Sequence, residues 1–111
     1  LADDRALSRR ARDLVVSGGH EVLLSAVVSL EIAIKSAIGK LDLPGDLAEE
    51  LLERGARELP VTIEHARRLQ HLPLHHRDPF DRMLIAQALA EDAVILSADA
   101  RFDAYGVKRR W

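Results

Sequence analysis

The strongest constraint on the fold is a helix start followed closely by a short apolar strand. Residues 75–88 read His-His-Arg-Asp-Pro-Phe-Asp-Arg-Met-Leu-Ile-Ala-Gln-Ala. Asp78 is a good N-cap and a proline suits the first helical position, so a helix is predicted from Pro79 to Ala90. The run Ala93 to Leu96 then predicts a strand, and Asp99 follows it. In open α/β sheets, ligands and metals bind at the carboxyl side of such strands.

Helices and strands alternate along the rest of the chain. Further helices are predicted from Asp3 or Asp4 to Val15, from Leu30 to Ile38, from Asp46 to Leu52 and from Thr62 to Leu69. Strands are predicted at Val22 to Leu24, Leu59 to Val61 and from Val107, with a loop at Leu41 to Pro44. This alternation implies parallel strands with helices on both faces. We therefore predict an α/β fold, a three-layer α/β/α arrangement around a short, mainly parallel sheet, forming a single domain over residues 1–111.

Composition excludes several classes of protein. The chain has no cysteine, which rules out disulfides, thiolate zinc sites and cysteine nucleophiles. No apolar run approaches the roughly 20 residues of a membrane span. We therefore expect no membrane association and a cytoplasmic location, which the lack of disulfides fits. The net charge of −2 creates no global positive field, so contact with nucleic acid would depend on local basic patches or metal ions.

Three acids lie near predicted helix starts or strand ends, and each has a structural and a functional interpretation. Asp81 falls in the first turn of its helix, where a negative charge or a capping box is favourable. Glu31 can pair with Lys35 four residues later, and Asp99 can cap the following turn. Asp78 is interpreted as a cap. From local spacing alone, the other three acids can be structural or functional.

The functional interpretation depends on the three acids coming together. Glu31 and Asp99 each follow a strand, so both should lie at the carboxyl edge of a parallel sheet, whereas Asp81 reaches that edge only through the tertiary fold. Clustered carboxylates repel one another unless a hard cation neutralises them. Mg²⁺ or Mn²⁺ is the natural occupant, and it can activate water for attack on a phosphodiester.

Other candidate sites are weaker. His71, His75 and His76 are interpreted as solvated loop residues, since they lack the spacing of a helical metal site. Basic side chains of the first helix and of residues 108–110 could contact RNA phosphates, although solvated faces explain them equally well. Leucine and valine faces on the helices predicted before residue 53 could bind a peptide or a second copy, with core burial as the simpler explanation. A receiver-like phosphate pocket at Asp99 would need a better placed lysine than Lys108.

Taken together, these motifs resemble a known family. Residues 76–88 and 94–102, with Ser29 to Lys35 followed by Gly39-Lys40-Leu41, resemble PIN-domain nucleases and, more narrowly, the VapC-type toxins of bacterial toxin–antitoxin pairs. Residues 1–8 resemble the segment that follows the first strand of that family. The likeness runs over nearly the whole chain.

The resemblance implies a Mg²⁺- or Mn²⁺-dependent endoribonuclease that acts as the toxin of a type II toxin–antitoxin system. It places metal-binding catalytic acids at Glu31, Asp81 and Asp99, with Asp103 as an outer metal ligand and Ser97 as a small hydroxyl residue nearby. The implied partners are an RNA substrate, a cognate VapB-like antitoxin and a second copy of the chain in a homodimer.

The chain departs from the family pattern at its start. The resemblance implies a first strand that ends in a further metal-binding acid, and Asp3 and Asp4 come too late in the pattern to supply it. We therefore expect residues 1–111 to lack that strand, and to bind metal poorly or be inactive by themselves. The alternative is a non-catalytic interaction module whose acids only cap helices.

Overall fold

The computed structural model describes residues 4–40 and 46–111, and it divides the chain into two compact units, Leu1–Pro60 and Val61–Trp111. The prediction of a single domain stays a prediction. The loop predicted at Leu41 to Pro44 and the cap predicted at Asp3 or Asp4 lie outside the described residues and side chains. Among the described residues, no helix is both long and apolar enough to cross a bilayer.

Over its described residues, the first unit contains three helices and one pair of strands. Its elements are α1 (Asp4–Ser17), β1 (Leu23–Ser25), α2 (Ala26–Ala37), α3 (Leu47–Glu53) and β2 (Arg57–Leu59). Ser25 caps α2 by accepting a hydrogen bond from the Val27 amide, and Asp46 caps α3 as predicted. The buried side chains of Val27 and Leu51 form part of its core. An Arg12 Nε to Glu50 Oε2 ion pair of 2.6 Å joins α1 to α3.

The second unit is built around a small aliphatic and aromatic core. Its elements are α4 (Ile63–His71), α5 (Pro79–Glu91), β3 (Val94–Leu96), the 3₁₀ helix η1 (Ala100–Tyr105) and β4 (Lys108–Arg110). Ile85 of α5, Ile95 of β3 and Phe102 of η1 pack together, each at most 8% exposed. This core holds the start of α5 and the end of β3 in one unit, and thereby positions Asp81 and Asp99.

The strands confirm the predicted parallel pairing. β1 pairs with β2, and β3 pairs with β4, both parallel, so the described strands form two two-stranded sheets. One strand was placed wrongly by the sequence: β2 is Arg57–Leu59, whereas Leu59 to Val61 was predicted. The ladder ends at Leu59, opposite Ser25, because the next residue is a proline, which has no amide hydrogen to donate.

Candidate functional site

Asp81 lies in the first turn of α5, where it is held by a histidine. Asp78 caps this helix, since its Oδ1 accepts hydrogen bonds from the amides of Phe80 (2.8 Å) and Asp81 (3.1 Å). Asp81 Oδ2 lies 2.7 Å from His76 Nε2. The Arg77 amide donates to His76 Nδ1, so the ring proton lies on Nε2, which donates to the carboxylate. The helix cap therefore holds the backbone of Asp81, and His76 of the preceding loop orients its carboxylate.

This contact corrects the interpretation of His76 as a solvated loop residue. Its side chain is only 16% exposed and is committed to Asp81. Two groups hold the backbone around it. Tyr105 Oη accepts from the amides of His75 (3.1 Å) and His76 (2.8 Å), and Arg82 donates to the carbonyls of Pro73 and His76. The loop that carries His76 is therefore fixed by side chains from α5 and η1.

Asp99 follows β3 and begins η1. Its Oδ1 accepts from the Arg101 amide at 2.9 Å, which confirms the capping interpretation, and its own amide donates to Ser97 Oγ at 3.0 Å. The Arg101 guanidinium donates to both carboxylate oxygens, with distances from 2.7 to 3.0 Å. Mainly because of this side-chain hydrogen bond, the pKa of Asp99 falls to about 2. Asp99 is therefore ionised throughout the neutral range.

Asp81 and Asp99 interact electrostatically with the same two side chains, those of Arg101 and His76. The pKa of Arg101 is raised first by Asp99 and further by the charges of Asp81 and Asp78. Conversely, His76, the partner of Asp81, contributes to the lowered pKa of Asp99. The second unit thus places the head of α5 and the end of β3 within electrostatic reach of each other.

Asp103 and Glu31 have different surroundings. Arg109 donates to both oxygens of Asp103, at 2.9 and 3.1 Å, and this bonding lowers the pKa of Asp103. Glu31 lies in the first unit, on the second turn of α2, where Lys35 Nζ is 3.0 Å from its Oε2, as the structural interpretation predicted. That Glu31 and Asp99 share one sheet edge stays a prediction, since β1 and β3 belong to different two-stranded sheets.

The donor chemistry of Asp81 and Asp99 suits a divalent cation. Mg²⁺ is commonly held by one or two carboxylates together with waters, and two carboxylates within one unit match that requirement. In neither unit, over residues 4–40 and 46–111, do three or more His, Asp or Glu side chains gather as a metal-binding group. The assignments of Glu31, Asp81, Asp99 and Asp103 as metal ligands remain predictions.

The comparison with known families decides which class of protein this is. The PIN domain family model matches residues 1–108. The chain belongs to the PIN domain family. PIN domains have an α/β fold and are in general metal-dependent nucleases, so the predicted fold class and the broad prediction of a nuclease agree with the match. No curated protein matches the chain significantly.

Sequence reasoning missed the basic partners of Asp81, Asp99 and Asp103. Arg101 stands two residues after Asp99, so a local ion pair could have been recognised from the spacing alone. His76 was noted but not connected to Asp81, five residues later. Tyr105 gave no local signal, because it meets His75 and His76 across 30 and 29 residues of chain.

Proposed function

We propose that this PIN domain is a metal-dependent endoribonuclease and the toxin of a type II toxin–antitoxin pair. The observation that carries the proposal is the placement of Asp81 and Asp99 in one unit, with charges that act on the same arginine. A bound Mg²⁺ or Mn²⁺ would supply an activated water and charge stabilisation for phosphodiester cleavage. Within the chain, Asp81 and Asp99 would provide carboxylate oxygens for the cation, with Glu31 and Asp103 as further ligands.

The chain's own contacts support these roles. His76 restrains the Asp81 carboxylate in one orientation, and the cap of η1 restrains Asp99 Oδ1. Ligands that are already oriented lose less conformational freedom when a cation binds. Hydrogen-bonded partners of metal ligands commonly contribute to affinity in this way.

The test is Asp81→Asn in the complete protein, with Asp92→Asn as its matched control. Asp92 ends the same helix in a left-handed conformation (φ 51°), which asparagine tolerates, and its partner Lys108 is exposed. We expect Asp81→Asn to abolish Mn²⁺-dependent RNA cleavage and to weaken Mn²⁺ binding, and Asp92→Asn to retain both. Parental cleavage and parental Mn²⁺ affinity in Asp81→Asn would refute the assignment.

Glu31 is tested in the same way with Glu31→Gln. The control is Glu64→Gln, which also removes a helical i,i+4 ion pair, that between Glu64 and Arg68. As a metal ligand, Glu31 should be needed for cleavage while Glu64 is not. Equal activity of the two variants would show that Glu31 has only a structural role, its ion pair with Lys35.

The proposed partners are RNA, a VapB-like antitoxin and a second copy of the chain, in the cytoplasm. The leucine and valine faces expected to bind partners are partly buried within the protein, since Leu51 is only 3% exposed. By contrast, Leu30 and Ile34 on α2, and Ile38 at its C-cap, are 53%, 44% and 61% exposed, and their four-residue spacing places them on one side of the helix. This apolar stripe supports partner binding.

The partner proposal is tested with Ile34→Glu, using Val16→Glu on α1 as the control for an exposed apolar residue in the same unit. We expect Ile34→Glu to abolish dimerisation, measured by light scattering, or co-purification with the co-expressed antitoxin. If Ile34→Glu behaves like Val16→Glu in both measurements, the stripe is not the binding surface.

An interaction module without catalysis is the second candidate. It is favoured by the capping roles of Asp78 and Asp99 and by the Glu31–Lys35 pair, which give three acids a structural purpose. Thermal melts of the complete protein distinguish the two. A rise in Tm with Mn²⁺ that Asp99→Asn abolishes supports the nuclease, whereas no rise supports the module.

A further inference from the structure

The guanidinium of Arg101 forms a bidentate ion pair with the carboxylate of Asp99. Its Nε lies 3.0 Å from each carboxylate oxygen of Asp99, and its Nη2 lies 2.7 Å from Oδ2. Both oxygens that could bind a cation are therefore already bound by a positive group. Since a guanidinium and a divalent cation repel each other, each weakens the binding of the other to the same carboxylate.

The guanidinium of Arg101 can leave without disturbing the fold. Its side chain is 70% exposed, and exposed ion pairs usually contribute only about 0–1 kcal/mol. The cap of η1 uses a different atom of the same residue, the Arg101 amide, which remains bonded to Asp99 Oδ1 when the side chain moves. The contact is therefore strong enough to neutralise Asp99 and weak enough to be exchanged.

The nearby ion pair between Arg109 and Asp103, by contrast, is less exposed and is held in place by a further hydrogen bond. Arg109 binds Asp103 in a similar bidentate manner, but its side chain is only 22% exposed and it also donates to the Ser97 carbonyl at 3.1 Å. It thereby attaches β4 to the end of β3. Of these two arginines, Arg101 has the more exposed side chain, and it can therefore move away from its carboxylate into solvent.

We propose that Arg101 is a displaceable counter-ion of Asp99: its guanidinium would leave the carboxylate when Asp99 holds a divalent cation, and would then bind a phosphate of the RNA. The proposal rests on the proposed nuclease function, which it extends to a substrate-binding residue. Arginine suits both positions, because its planar fork matches carboxylate and phosphate geometry equally well. The charges of Asp78 and Asp81 attract the released guanidinium, so it remains near the site.

Because Arg101 has these two roles, removing its side chain should change the affinity for the cation and the affinity for RNA in opposite directions. Loss of a competitor should tighten cation binding, whereas loss of a phosphate partner should weaken RNA binding. A variant that merely damaged the site would weaken both. Arg101→Gln therefore separates the proposal from a structural role, and Arg101→Lys, which keeps the charge but not the fork, should be intermediate in both measurements.

The experiment measures Mn²⁺ affinity of the complete protein by calorimetry without RNA, and the KM for a single-stranded RNA at saturating Mn²⁺. Arg68→Gln is the control, since it removes the same charge from another exposed ion pair of this unit. For Arg101→Gln we expect Mn²⁺ to bind about three- to tenfold more tightly and KM to rise about tenfold or more, with Arg68→Gln unchanged.

Unchanged or weaker Mn²⁺ binding in Arg101→Gln would overturn the proposal, and so would an unchanged KM. These failures differ from failure of the proposed function. If the parental protein neither binds Mn²⁺ nor cleaves RNA, the nuclease assignment fails and the counter-ion proposal with it. If the parental protein does both and Arg101→Gln tightens nothing, only the role of Arg101 is wrong.

Discussion

His76 and Asp81 form a hydrogen bond of 2.7 Å between side chains that are only 16% and 21% exposed. The histidine belongs to the loop before α5, and the aspartate to the first turn of that helix. Because His76 donates a single hydrogen bond to one carboxylate oxygen, it can orient Asp81 for a cation without competing for both oxygens. Arg101, which engages both oxygens of Asp99, differs in this respect.

With Asp81 as the proposed metal ligand, we expect His76→Ala to weaken Mn²⁺ binding about tenfold or more, since removing the hydrogen-bonded partner of a metal ligand typically has that effect. Calorimetric titration with Mn²⁺ checks this. His75→Ala is the matched control, because the adjacent exposed ring contacts Tyr105 and has no bond to Asp81 among the described contacts. Equal Mn²⁺ affinity of the two variants would show that His76 does not orient the ligand.

The lowered pKa of Asp99 predicts a pH dependence of stability. A carboxylate whose pKa is about 2 when folded and 3.8 when unfolded stabilises the fold above pH about 4. This contribution is lost as the pH falls from about 4 to 2. In Arg101→Gln the pKa of Asp99 should rise toward its ordinary value, and that part of the acid destabilisation should be smaller. Carboxyl-carbon NMR titration measures the pKa, and urea unfolding at several pH values measures the stability.

Tyr105→Phe should loosen the loop before α5 while leaving the aromatic ring in the core. The hydroxyl accepts from the amides of His75 and His76 and from Arg82, so its loss removes the partner of several donors. We expect a destabilisation of about 1–3 kcal/mol in urea unfolding, and faster hydrogen exchange at the amides of His75 and His76. Unaltered exchange at both amides would contradict the role assigned to this hydroxyl.

His65→Ala should destabilise the packing of α4 on α5. His65 is 1% exposed; its Nδ1 accepts from the Thr62 amide, and its Nε2 lies 3.1 Å from Glu91 Oε1. Removal breaks the capping box of α4 and leaves a cavity, so we expect a loss of about 2–4 kcal/mol in urea unfolding.

Glu91→Gln is the control for His65→Ala, because the amide oxygen can still accept from His65 and the site is partly exposed. It should cost less than about 1 kcal/mol. A similar loss for both variants would mean that the Glu91 carboxylate, rather than the buried ring and its cap, stabilises the contact.

Local chemistry accounts for the parts of the fold that were predicted well. Asp46, Thr62 and Asp78 each cap the helix expected of them, since a side-chain oxygen bonding an amide two or three residues ahead needs no distant partner. The parallel strands followed from the alternation of elements. The displacement of β2 came from its composition, because Arg57 and Glu58 do not carry an apolar strand signal.

The acids show where local reasoning ends. The positions of Asp81 and Asp99, at a helix start and after a strand, were readable from the sequence because caps and strand ends are local features. Their partners depend on the folded core of Ile85, Ile95 and Phe102, which joins α5, β3 and η1. Only that packing brings Tyr105 to the loop before α5 and lets both acids act on Arg101, because such contacts depend on distances in space that residue spacing does not encode.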